Sequence, residues 1–170
     1  MKSLNRVFLV LLPLFVGADA SFAEGVACHN TPLIEIAYDA FGMLAPEGKY
    51  LYFRVCEDGM LQYEVEGSSP GIKEMRGERL TDSQLTSLRG LLASSEVKTL
   101  QGTYDSKSKF RDYRLTLAVR VSRPRGVQTF SVVNILSNTQ GSFPRSVLRF
   151  LCAIDKLRKT DFKLSHECSP

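Results

Sequence analysis

The sequence predicts an α+β domain: an antiparallel sheet of five to six strands, two amphipathic helices on one of its faces, and two disulfides. Three observations carry that expectation. Two stretches alternate apolar and polar residues with a period of two and contain turn signals; two others repeat apolar residues at helical spacing behind helix-start signals; and four cysteines follow an export-type N-terminus. The 170 residues suit one domain.

Residues 1–23 stand apart from that domain. Lys2 and Arg6 precede an apolar run from Val7 to Val16, and small residues follow at Ala18-Asp19-Ala20 and Ser21-Phe22-Ala23. A basic start, a short apolar stretch and small-x-small sites are the marks of a cleaved signal peptide. The run is about ten residues, half of what a membrane-spanning helix needs. The mature domain is therefore expected to cover residues 24–170, with no transmembrane segment, in the periplasm or outside the cell. Asp19 and Glu24 separate Cys28 from the apolar run, which argues against lipidation there.

Export gives the cysteines a reading. Cys28, Cys56, Cys152 and Cys168 allow three pairings in an oxidising compartment. Cys28–Cys56 with Cys152–Cys168 is preferred because each bridge then closes a local loop. Cys28–Cys168 with Cys56–Cys152 is the competitor.

The first strand is expected over Leu33 to Tyr38. Tyr50 to Cys56 and Met60 to Val65 flank Glu57-Asp58-Gly59, a hairpin signal. A further strand runs from Ile72 to Arg79. Thr81 and Gln84 then form a capping box, followed by Leu85, Leu88, Leu91 and Leu92 at helical spacing, and the helix should end near Ser94. The second hairpin has the clearest alternation. Leu115, Leu117, Val119 and Val121 share one strand face, while Arg114, Thr116, Ala118 and Arg120 share the other. Arg123-Pro124-Arg125-Gly126 makes its turn, and the return strand runs from Val127 to Leu136. The last helix should carry Pro144 at its first position, where a missing N–H costs nothing. Val147, Phe150, Leu151, Ile154 and Leu157 line its apolar face, with Arg145, Arg149, Lys156, Arg158 and Lys159 on the others.

The run from Tyr52 to Tyr104 joins a strand, Asp58-Gly59, Met60-Leu61-Gln62-Tyr63, a further strand, Leu80-Thr81-Asp82-Ser83-Gln84-Leu85 and Leu88 to Leu92, and closes on Val97, Leu100 and Tyr104. It resembles a group of bacterial exported domains of unknown function, whose pattern pairs an aspartate–glycine hairpin with a strand, a capped helix and a tyrosine-ended loop. The likeness spans roughly a third of the chain. Gly67-Ser68-Ser69-Pro70-Gly71 departs from the compact hairpin of that pattern. The resemblance implies no catalytic residues.

Motifs for chemistry are scarce. His29 and His166 are the only histidines, each beside a cysteine, and their spacing does not fit a zinc knuckle, so no metal or other cofactor is expected. Nucleophile elbows and phosphate-binding glycine loops are absent from the sequence. Glu57-Asp58 and Glu64 with Glu66 are the acid pairs a small carboxylate-based hydrolase would need. In a hairpin such residues more often serve the turn and protect the edge.

Charge is uneven. Glu24 to Glu66 holds eight acids and two bases, whereas Gly67 onward holds eighteen bases and nine acids. The bases concentrate in the second hairpin, where Arg114, Arg120, Arg123 and Arg125 are the candidate binding residues. Guanidinium forks match carboxylate and phosphate groups. The expectation is a non-enzymatic interaction module for a protein or an anionic envelope component. Nucleic acid is disfavoured, because no aromatic platform is interleaved with the bases and export removes the usual target. The sequence sets no oligomeric state.

Overall fold

The hairpin and helix signals all produce elements. The computed structural model of the chain describes residue 28 and residues 31–42, 48–67, 72–106, 113–134 and 143–158. The expected leader at 1–23, both histidines and Cys168 lie outside the described residues. In chain order the elements are β1 (Pro32–Gly42), β2 (Gly48–Cys56), β3 (Met60–Glu66), β4 (Lys73–Arg79), α1 (Asp82–Ala93), α2 (Ser95–Lys98), β5 (Gly102–Asp105), β6 (Tyr113–Arg123), β7 (Gly126–Val133) and α3 (Arg145–Leu157).

The strands form one sheet of seven, in the order β4-β3-β2-β1-β6-β7-β5. This corrects the expected antiparallel sheet of five to six strands: the domain is mostly β, and its sheet is mixed. The parallel pair is β5 with β7, from Gly102 opposite Phe130 to Asp105 opposite Val133. The chain leaves β4 at one edge and enters β5 at the other. The segment carrying α1 and α2 therefore connects opposite edges, and β5 enters beside the β6–β7 hairpin instead of extending the first one.

β1 is central. It pairs antiparallel with β2 on one side and with β6, from Ile34–Val121 to Gly42–Tyr113, on the other. Because directly opposed residues share a face, Ile34, Ile36, Phe53, Val55, Leu61, Leu115, Leu117, Val119 and Val121 form one apolar layer. The helices add Leu88, Leu92, Val97, Val147, Phe150, Leu151 and Ile154 to the same core cluster. All three helices thus cover one face of the sheet.

Local chemistry sets the element ends. Gly59 takes φ +85° in the β2–β3 turn, and a Cβ there would lie 3.2 Å from Leu85 Cδ2. The capping box of α1 is complete: Gln84 N donates to Thr81 Oγ1 at 3.2 Å, and Thr81 N donates to Gln84 Oε1 at 2.9 Å. Pro144 sits one position earlier than expected. Its ψ of 144° is extended, making it the N-cap, and its carbonyl accepts from Val147 and Leu148 N–H groups. β7 stops at Val133 rather than Leu136, because Asn134 turns into φ +57°; its N–H donates to the Leu115 carbonyl, and its Oδ1 accepts from Leu115 N.

Cys28 and Cys56 are joined by a disulfide, which selects the local pairing and rules out the Cys28–Cys168, Cys56–Cys152 alternative. It is the one bridge among the described residues, where two were expected. Cys152, on α3, is not a free thiol, and its expected partner Cys168 lies outside the described residues. No helix among the described residues is long and apolar enough to cross a membrane.

Candidate functional site

The same alternation that builds the core leaves a second sheet face that no helix among the described residues covers. Arg114, Thr116, Ala118 and Arg120 point there from β6, and Glu35, Ala37, Asp39 and Phe41 from β1. Arg114, Ala118, Arg120, Asp39 and Phe41 are exposed. Arg114 and Arg120 are six residues apart along one strand, about 20 Å.

The charges on this face do not simply cancel. Glu35 is directly opposite Arg120 in the β1–β6 register and opposite Arg54 in the β1–β2 register. Its carboxylate is taken by Arg54, with Nη2 at 2.7 Å and Nε at 2.9 Å. Asp39 is opposite Lys49 on β2 and Thr116 on β6. Among the described residues, no carboxylate lies within 4.0 Å of the Arg114, Arg120 or Arg125 side chains. A line of uncompensated positive charge thus follows β6 to its turn, where Arg125 is exposed.

Arg123 does not belong to that line. It falls on the odd-numbered side of β6, with Val119 and Val121, and so points toward the helices. Its Nη1 donates to the Leu92 carbonyl at 2.6 Å, its Nε to Gln128 Oε1 at 2.9 Å, and its Nη2 also to Gln128 Oε1. Gln128 Nε2 in turn donates to the Val97 carbonyl at 2.8 Å and the Leu100 carbonyl at 2.6 Å. Helix C-terminal carbonyls lack intrahelical partners, and α1 has no basic residue in its last turn. Arg123 and Gln128 fill that need from the β6–β7 hairpin and fasten both short helices to the sheet. Partial burial lowers the pKa of the Arg123 guanidinium from its ordinary value. Gln128→Ala should lower stability by about 1–3 kcal/mol, since it orphans helix-end carbonyls and the Arg123 fork together. Chemical denaturation would show this as a lower midpoint at unchanged slope.

A second polar cluster lies beneath α3 and was not anticipated. Tyr52 is the extra residue at a β-bulge, where Ile36 opposes Phe53 and the next residue, Ala37, opposes Leu51. The bulge puts Tyr52 on the helix side, next to Phe53. Its hydroxyl donates to Asp155 Oδ1 at 2.5 Å. The Arg158 guanidinium stacks 4.0 Å from the centre of the Tyr52 ring and 5.1 Å from that of Tyr63, and its Nη2 donates to the Glu64 carbonyl at 3.2 Å. Asp155 and Arg158 are both buried. Beyond the bulge, side chains take over from the ladder between β2 and β3: Glu64 Oε2 accepts from Leu51 N at 2.6 Å, and Lys73 Nζ donates to the Lys49 carbonyl at 2.5 Å.

One acid of each expected pair is committed to structure. Asp58 Oδ1 accepts from Met60 N at 3.1 Å and its carboxylate meets Arg79 at 3.7 Å, while Glu64 caps Leu51. Glu57 and Asp58 are exposed turn residues, and the Glu66 side chain lies outside the described residues. No group of three or more His, Cys, Asp or Glu residues suited to a metal occurs among the described residues.

Fold and surface together define a class: a mostly β domain with a disulfide, one sheet face covered by helices and the other, among the described residues, free of helical cover and carrying arginines with no carboxylate partner there. Comparison with protein-family models gives no match, and comparison with curated proteins gives none, so geometry and charge carry the functional reading.

Proposed function

We propose that the chain is an exported, non-enzymatic binding module, and that the open sheet face holds an anionic component of the cell envelope against Arg114, Arg120 and Arg125. The observation that carries this reading is the allocation of Glu35 to Arg54, which leaves Arg120, near the centre of the sheet, without a countercharge among the described residues. An unpaired, exposed guanidinium keeps its donors available for a carboxylate or phosphate. In this reading residues 1–23 are the signal peptide that delivers the chain, and Cys152 is bridged to Cys168. The resemblance to bacterial exported domains fits the same picture. The hydrolase alternative gains nothing, since Asp58 and Glu64 already serve the backbone.

The test compares binding of the exported chain to dextran sulfate and to neutral dextran over a range of salt. Binding should require the sulfated polymer and weaken as salt rises. Replacing Arg114, Arg120 and Arg125 together with serine should weaken it about a hundredfold, at about 1 kcal/mol for each basic side chain near an anionic surface. Arg123 is left intact, because its loss would perturb the fold. Unchanged affinity in the triple variant would overturn the reading.

A further inference from the structure

The open face also indicates what kind of anion it accepts. We infer that its occupant is a linear acidic polysaccharide lying along β6. This rests on the reading of the face as an anion-binding surface and names its ligand.

Separation comes first. Arg114 and Arg120 are about 20 Å apart on one strand, with Arg125 further on in the turn. One carboxylate or phosphate reaches one of them at a time. A ligand that uses the line must be extended and carry charges in series.

Phe41 supplies the second observation. It lies directly opposite Arg114 on the open face and is 68% exposed, more than any other large apolar residue described. Its ring packs nothing in the core. An aromatic face beside a guanidinium fork suits a sugar ring bearing a carboxylate: the ring's C–H surface lies on the aromatic while the charge meets the arginine. A phosphodiester chain without rings would leave Phe41 idle.

What lies between the arginines separates a glycan from a folded protein partner. The outward residues there are the exposed Ala118 and the half-buried Thr116, flanked on β1 by Ala37 and Asp39 and on β7 by the half-buried Ser131, while Val133, opposite Thr116, is buried. Protein interfaces take most of their energy from large anchors buried at the centre. Among the described residues this centre has none: its exposed side chains, Ala118 and Asp39, are small, so a slender chain can lie between the two arginines while its charges reach both ends.

The experiment uses the exported chain with oligogalacturonates as dimer, tetramer and octamer, the fully methyl-esterified octamer, and vesicles of anionic phospholipid. The octamer should bind at least tenfold tighter than the dimer, because a second arginine engages a ligand already held. Arg114→Ser and Arg120→Ser should each bring the octamer down to the affinity of the dimer. Phe41→Ala should weaken octamer binding about fivefold, and the esterified octamer should bind no better than the dimer. These three side chains are exposed, and unchanged thermal unfolding of each variant checks that the fold is retained. Equal affinity for dimer and octamer, or no binding of the octamer, would overturn the inference. So would binding to vesicles with the octamer ignored. If arginine-dependent binding to dextran sulfate persists in any of these cases, the anion-binding reading survives and only the polysaccharide is excluded. If it is lost as well, both fall.

Discussion

Asp155→Ala is expected to destabilise the domain by about 3 kcal/mol and to lower its melting temperature by roughly 10 °C. The substitution removes the acceptor of the buried Tyr52 hydroxyl and the carboxylate one helical turn before the buried Arg158. It leaves a phenol and a guanidinium in a dry environment, each with less compensation than before. The asymmetry between orphaning one partner and removing both makes the expectation specific. A double variant, Tyr52→Phe with Asp155→Leu, should lose markedly less stability than the two single losses added together. Additive losses would mean that the Tyr52–Asp155 bond contributes little and that packing around α3 dominates.

The same cluster gives a pH dependence whose sign is fixed. Burial, then the Asp155 charge and the hydrogen bond to it, push the Tyr52 phenol well above its ordinary value, against a smaller opposing effect of Arg158. The folded state therefore holds this proton more tightly than the unfolded chain does. The resulting stabilisation is complete below the unfolded phenol value of about 10 and is lost as pH climbs beyond it. An ultraviolet phenolate titration should find one tyrosine that ionises only as the domain unfolds in alkali. Normal ionisation of every tyrosine in the folded state would contradict the burial of Tyr52.

The Cys28–Cys56 bridge has the other large expected effect. It closes a loop with a sequence separation of 28, for which the chain-entropy model gives about 3–4 kcal/mol. Paired Cys28→Ser and Cys56→Ser substitutions should remove that amount. The loss should fall mainly on the joined ends of β1 and β2, because Cys56 is buried at the end of β2 beside Pro32 of β1. Hydrogen exchange should accelerate first at the Pro32 end of β1 and the Cys56 end of β2, while β6, β7 and α3 keep their protection longest. Uniform acceleration across the sheet would show that the bridge acts only on the unfolded chain.

Most of the sheet could be read from alternation because its long strands are half-buried, and a half-buried strand writes its two faces into the sequence. β6 shows this best: its odd positions entered the core and its even positions the open face. Followed one step further, that rule would have separated Arg123 from Arg114 and Arg120. Position 123 continues the series 115, 117, 119, 121, and grouping the arginines by their nearness in the chain hid this. Arg158 was missed in a similar way. It stands four residues after Ile154, seven after Leu151 and eleven after Val147, on the apolar stripe of α3. Its charge suggested the surface, but tyrosine rings from β2 and β3 receive it.

Other features had no local signal to read. α2 is a single turn, too short for a period, and β5 has four residues beginning at Gly102, whose φ of +70° reads as loop chemistry. Its parallel pairing with β7 depends on the route of the chain past α1 and α2, which no short stretch encodes. The bulge at Tyr52 is likewise set by register against β1. The open face was only half visible: its arginines could be listed, but the capture of Glu35 by Arg54, which leaves Arg120 without a carboxylate among the described residues, needs three strands in register.

The most direct test is to follow the side-chain Nε–H resonances of the arginines by nuclear magnetic resonance while dextran sulfate is added to the protein. Signals of Arg114, Arg120 and Arg125 should shift together, and those of Arg123 and Arg158, held at the Leu92 and Glu64 carbonyls, should stay in place. Shifts confined to Arg145 and Arg149 on α3, with the three sheet-side arginines unmoved, would place binding on the helical face and contradict the account.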